Sequence, residues 1–152
     1  MNFVVDTNVG IFANGRDTHA SNECMLACIE FILGLKNNAK HHIFMDRMEL
    51  IFNEYKSYFN FSGNPGTGDA FFQFIFDNMH SNKKVRLVDI HPIADEERSF
   101  EELPANSLDK DDRKFLAVAV ISKSAIANAA DPDWIENISL LKSLDVKLRN
   151  IP

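Results

Sequence analysis

Three acidic positions, far apart along the chain, fall where strands give way to helices: Asp6, the pair Asp109 and Asp112, and Asp131. In an open parallel sheet, ligands bind outside the C-terminal ends of the strands, beside the N-termini of the helices that follow. Each acid also has a purely structural explanation. Asp109 and Asp112 have the spacing of a capping box, and Asp131-Pro132 reads as an N-cap followed by proline at the first helical position. Asp6 differs, because Thr7 or Asn8 can cap the next helix and leave its carboxylate free. Like charges gathered at one sheet edge repel; at an effective dielectric of about 20, a pair roughly 5 Å apart costs on the order of 3 kcal/mol. A cation removes that cost. An all-oxygen cluster without Cys or His suits Mg²⁺ or Mn²⁺ rather than zinc. Such an ion keeps positions open for water and phosphate oxygens, the arrangement used in metal-assisted phosphodiester hydrolysis.

The elements that must position these acids alternate along the chain. Asn2 to Asp6 is a short apolar run with β-branched residues, expected as a buried parallel strand. Residues from about Ser21 to Leu35 carry helical spacing, His42 to Met45 is a second strand, and Met48, Ile51, Phe52, Tyr55 and Phe59 share one face of a helix from about Asp46 to Phe59. The Ser62 to Gly68 segment lacks the endings of a phosphate-binding loop and reads as a plain connection. Asp69 is placed to cap a helix through Met79, and Val85 to Ile90 is a third strand. Asp109 opens a helix through Ala119, Ala125 to Ala127 is a fourth strand, Asp131-Pro132 opens a helix to about Ser143, and Val146 to Ile151 is a last strand. This alternation predicts a mostly parallel sheet covered on both faces.

The charge balance runs against a nucleic-acid ligand. With 22 acidic and 16 basic residues the formal net charge is −6, whereas binding a polyanion relies on clustered Lys and Arg that release counterions. Two basic clusters are visible: Lys36, Lys40, His41 and His42, and separately Lys83, Lys84 and Arg86. Solvated surface is the ordinary reading of both. Cys24 and Cys28 have same-face helical spacing in an apolar stretch, which marks buried thiols in a reducing compartment. The five histidines, His19, His41, His42, His80 and His91, do not pair with them as zinc ligands. No apolar run approaches the roughly 18 residues of a membrane span, and the chain opens without a basic leader segment, so a cytoplasmic protein is expected.

Four segments together carry a family resemblance. Val4-Val5-Asp6-Thr7-Asn8, Glu54-Tyr55 on a helix, Asp109-Lys110-Asp111-Asp112-Arg113-Lys114-Phe115, and Asn128-Ala129-Ala130-Asp131-Pro132-Asp133-Trp134 resemble a PIN domain, the nuclease family that includes VapC-like toxins. The order is right and essentially the whole chain is covered. The resemblance implies a single domain over residues 1–152, built as a three-layer α/β/α sandwich on a mostly parallel sheet of about four to five strands. It also implies a catalytic and metal-binding set of Asp6, Glu54, Asp112 and Asp131, supported by Asn8, Asp109, Asn128 and Asp133, around one or two Mg²⁺ or Mn²⁺ ions. Only the local Ile51-Phe52-Asn53-Glu54-Tyr55 context selects Glu54 over Glu49 or Asp46. Many PIN domains carry Ser or Thr two residues before the last core Asp; Ala129 stands there, and Asn128 is the substitute.

The implied activity is an endoribonuclease cutting single-stranded RNA or a structured loop, leaving 5′-phosphate and 3′-hydroxyl ends, with Arg113 and Lys114 as substrate contacts. Family precedent adds a toxin role, an antitoxin protein as partner and a homodimer. Two alternatives remain at this level. One is a non-catalytic PIN-like domain that binds RNA or protein. The other is a phosphatase of the haloacid dehalogenase type, which needs a second Asp two residues after the first; Asn8 occupies that position.

Overall fold

The computed structural model describes residues 1–16 and 20–152, so His19 lies outside the described residues. Its centre is a sheet of five strands: β1 (Asn2–Val5), β2 (His42–Asp46), β3 (Val85–Val88), β4 (Ala125–Ala129) and β5 (Leu148–Ile151). The spatial order is β3-β2-β1-β4-β5, and every pairing is parallel. The three central strands are apolar almost throughout, with β4 buried along its whole length, as a sheet covered on both faces requires.

The helices are α1 (Thr7–Ala13), α2 (Asn22–Asn37), α3 (Leu50–Tyr58), α4 (Thr67–Asn78), α5 (Arg113–Ser122), α6 (Pro132–Glu136) and α7 (Ile138–Ser143). A single 3₁₀ turn, Lys110–Asp112, leads into α5. From β1 the chain steps outward to β2 and β3, then returns across the sheet to β4 and continues to β5. With right-handed crossovers, that reversal puts α5 on the face opposite α1 and α2. The strands where the direction reverses are β1 and β4, so the switch point, where α/β sheets bind ligands, lies between the ends that carry Asp6 and Asp131.

Local chemistry moved several expected boundaries. Helix α1 was expected only as the helix that Thr7 or Asn8 would cap, without bounds, because its seven residues offer little periodic pattern. It exists through tight packing: a Cβ on Gly68 would lie 2.0 Å from the Gly10 carbonyl oxygen, so α1 and α4 approach at a distance only glycine permits. That approach shifts the start of α4 to Thr67. Asp69 is therefore the third residue of the helix and not its cap, reaching back to the Gly66 and Asn60 N–H groups at 2.9 Å each. The expected helix from Asp46 begins at Leu50, since Asp46 ends β2 and its carboxylate caps α3, accepting from the N–H groups of Leu50 and Ile51 at 2.7 and 2.9 Å. The expected helix over 131–143 breaks at Asn137, whose side-chain amide donates to the Asp133 carbonyl at 2.8 Å. Cys24 and Cys28 are free and buried, as expected. Among the described residues, no helix is long and apolar enough to cross a membrane.

Candidate metal centre

Asp6 sits directly after β1, where its N–H is held by the Ala127 carbonyl of β4 at 2.9 Å. Its backbone enters α1 in extended conformation, yet its side chain makes no capping bond. Asp6 itself stands at the N-cap position, in place of Thr7 or Asn8; the Asn8 N–H weakly favours its charged form, and its Oδ2 is buried without a hydrogen-bond partner. The buried Trp134 indole N–H lies close enough to favour the charged form weakly, but it too lacks a partner at full hydrogen-bond geometry.

Asp112 ends the 3₁₀ turn, and its carboxylate makes no capping bond, while Asp109 takes that role by accepting from the Asp111 N–H at 2.9 Å. Asp131 caps α6, accepting from the Asp133 N–H at 2.9 Å through Oδ1. One carboxylate oxygen each from Asp6, Asp112 and Asp131 lies within 4.8 Å of the others. These three acids come from residue positions 106 and 125 apart from the first, and only the sheet brings them together.

The pocket around them has a volume of about 260 Å³, and seven of its eleven lining residues are acidic. Burial, then the charges of Asp131 and Glu54, raises the Asp6 carboxyl to about 7. Burial, then Asp6, Asp131, Asp109 and Asp133, raises Asp112 to about 8. Asp131 is raised too, chiefly by burial. Hard oxygen donors alone, a buried carboxylate oxygen with no partner and mutual repulsion among three aspartates fit a divalent cation such as Mg²⁺ or Mn²⁺.

Glu54 lines this pocket while Glu49 is exposed at the left-handed start of α3. The neighbouring Tyr55 is buried and donates to the Val5 carbonyl, which fixes α3 against β1 and places Glu54 beside Thr7. Glu54 does not join the aspartate trio at ligand distance. Instead Thr7 donates to its Oε2, and Lys114 Nζ lies 2.8 Å from its Oε1.

The remaining sequence-stated residues divide. Asn8, Asp109 and Asp133 line the pocket. Asn128 is fully buried, donates to the Asp131 carbonyl and the Asn150 Oδ1, and accepts from the Asp131 N–H at 3.3 Å. It shapes the turn through Ala130, which has φ of 59°, and so stands behind Asp131 through that residue's backbone. Arg113 is a correction. It is buried, and its guanidinium donates to the carbonyls of Leu108, Glu96 and Asn106 and to the Ser99 hydroxyl. The irregular segment after β3 needs those donors, so Arg113 holds a loop and not a substrate.

No protein-family model and no curated protein matches the chain. Among solved structures it is similar to a chain of VapBC2 from Rickettsia felis, crystallised bound to a DNA fragment from their promoter. The TM-score is 0.50 and the identity 13%, with 100% of each chain covered. The fold is PIN-like. Within a PIN-like sheet the switch point between β1 and β4 is where the trio stands. Sequence reasoning missed two residues there. Thr7 was read only as a cap, although an Asp-Thr-Asn run offers its hydroxyl to the same edge. Tyr58 ends α3 with 59% of its surface exposed and lines the acid pocket; an aromatic that falls off the apolar face of Met48, Ile51, Phe52, Tyr55 and Phe59 was the available signal.

Proposed function

We propose that the protein is a metal-dependent endoribonuclease that hydrolyses single-stranded RNA at the pocket between β1 and β4. The observation that carries this reading is the convergence of Asp6, Asp112 and Asp131 on one point, with a buried Asp6 oxygen that has no protein partner. These three residues would hold the cation, Mg²⁺ or Mn²⁺. When bound, the ion supplies a water of lowered pKa and neutralises charge developing on the phosphate.

The chain's own residues do the rest. Glu54, fixed by Thr7 and Lys114, presents a carboxylate at the pocket wall and orients the attacking water by accepting its hydrogen bond. Lys114 pairs with that carboxylate and places an ammonium at the pocket wall, where it can meet a phosphate oxygen. The exposed Tyr58 ring gives an unpaired base a face to stack on, worth about 1–3 kcal/mol per base, which suits a single strand. Asn128 and Asp133 hold Asp131 in its turn.

The resemblance of the sequence is to a family that includes VapC-like toxins and the similar solved chain belongs to VapBC2, and we read this chain as the toxin of a toxin–antitoxin pair. A pocket with seven carboxylates is a natural receptor for a basic side chain of an antitoxin. The chemistry predicts the products. Incubation of a defined RNA with Mn²⁺ should yield 5′-phosphate and 3′-hydroxyl ends; 2′,3′-cyclic phosphate ends would mean that the RNA's own hydroxyl attacked, and would overturn the reading.

A further inference from the structure

The two basic clusters that look independent in sequence are one surface in the fold. Residues 36–42 and 80–86 contain Lys36, Lys40, Lys83, Lys84 and Arg86 with His41, His42 and His80, and no Asp or Glu. Parallel pairing of β2 with β3, Ile43 to Val85 and Phe44 to Arg86, sets the two segments side by side. Lys84 Nζ donates to the Asn38 carbonyl, and an Arg86 guanidinium nitrogen lies 3.3 Å from His42 Nε2. Between them runs a groove of about 390 Å³ lined by His42, Asn82, Lys83, Lys84 and Arg86. Burial first, and then the charges of Arg86 and Lys84, hold the His42 pKa below its ordinary value. Among the described residues, the four ion pairs use Arg16, Arg47, His91 and Lys114, so none of the three groove cations, Lys83, Lys84 and Arg86, has a carboxylate within 4.0 Å.

The groove opens where β2 and β3 begin, and the acid pocket lies where strands end. Four residue steps along β2, from His42 to Asp46, separate these levels by about 13 Å. We propose that this groove is a second RNA contact, holding the phosphate backbone of the substrate strand several nucleotides from the bond addressed at the acid pocket.

The inference rests on the ribonuclease reading above. It explains how a chain of net charge −6 grips a polyanion: binding charge is concentrated at one pole and catalytic charge at the other. A strand that touches both must bend between opposite ends of the sheet, which the single-stranded RNA proposed above as substrate does freely.

The test is binding of a fluorescent single-stranded RNA of about 20 nucleotides by the full chain in chelator, titrated over salt, so that cleavage does not enter. Each phosphate contact on a single strand contributes about −0.7 to the slope of log K against log salt. The double variant Lys83→Ala/Arg86→Ala should lose about tenfold in affinity at low salt and about 1.4 in slope. The charge-keeping variant Lys83→Arg/Arg86→Lys should recover most of both. A control with the same charge change elsewhere, Lys123→Ala/Lys142→Ala, should keep the slope. Equal losses in groove and control variants, no loss in either, or tighter binding of duplex DNA than of single-stranded RNA would overturn the proposal. RNA bound through the groove but left intact with Mn²⁺ would support the groove and count against the nuclease reading alone.

Discussion

Lys114 and Glu54 form an ion pair at the wall of the acid pocket, Nζ to Oε1 at 2.8 Å, with side chains 13% and 23% exposed. Lys114 Nζ also donates to the Asp111 carbonyl at 2.5 Å. It links the turn that carries Asp112 to the helix that carries Glu54. Exposed ion pairs contribute little, but this one is half-buried and orients a carboxylate that faces the acid pocket. Its value is positional.

Replacing Lys114 with Met should therefore lower the cleavage rate by about 10–100-fold, the usual cost of losing a partner that orients a site residue. Manganese affinity should change by less, because Glu54 is not among the three aspartates at ligand distance. A parallel loss of metal binding and rate would instead place Glu54 on the metal. Steady-state cleavage and Mn²⁺ titration on the same variant distinguish the two.

The pH dependence of stability follows from the crowding of carboxyls. Asp6 and Asp112 are raised from 3.8 to about 7 and about 8 in the folded protein. The folded state then binds more protons than the unfolded state between those limits, so metal-free stability is fully present below about pH 4 for these groups and is lost as pH rises towards 8. In chelator the loss from about pH 5 to about pH 8 should be on the order of 2 kcal/mol, after solvent screening and relaxation. Saturating Mn²⁺ should remove it. Asp6→Asn should flatten the metal-free profile; an unchanged slope in thermal melts of that variant would contradict the repulsion described for the site.

Asn128→Ala should destabilise the protein by about 2–3 kcal/mol, since the buried amide serves both the Asp131 backbone and Asn150 and leaves those groups unpaired when removed. The same change should weaken Mn²⁺ binding, because the turn no longer holds Asp131. Normal metal affinity in a folded variant would show that Asp133 alone fixes the turn.

Arg113→Met should cost on the order of 3 kcal/mol, because three carbonyls and a hydroxyl lose a buried cationic donor. At a temperature where the variant is folded, its KM for RNA should match the wild type. A raised KM with unchanged melting would return Arg113 to the substrate side.

The sheet, its parallel pairing and the edge that gathers Asp6, Asp112 and Asp131 were legible because apolar runs and terminal acids follow one-dimensional rules. The extent of helix α1 was not, since its stability comes from the Gly10–Gly68 approach between residues distant in sequence. Arg113 was misread for a related reason. An arginine beside an acidic motif looks like a phosphate ligand, and only the folded position of the Glu96 to Leu108 carbonyls shows what it binds. Glu54 and Glu49 could not be separated by spacing, because the choice depends on Asp46 capping α3 and turning Glu49 outwards.

The most direct measurement is cleavage of an end-labelled single-stranded RNA with Mn²⁺ by the wild type and by Asp6→Asn, Asp112→Asn and Asp131→Asn, each confirmed folded by its melt. The wild type should cleave, chelator should abolish that cleavage, and each variant should lose roughly 100-fold or more, as expected when a group stabilising the transition state through a metal is removed. Equal cleavage by the wild type and the three variants, or cleavage that persists in chelator, would contradict the metal-dependent ribonuclease reading.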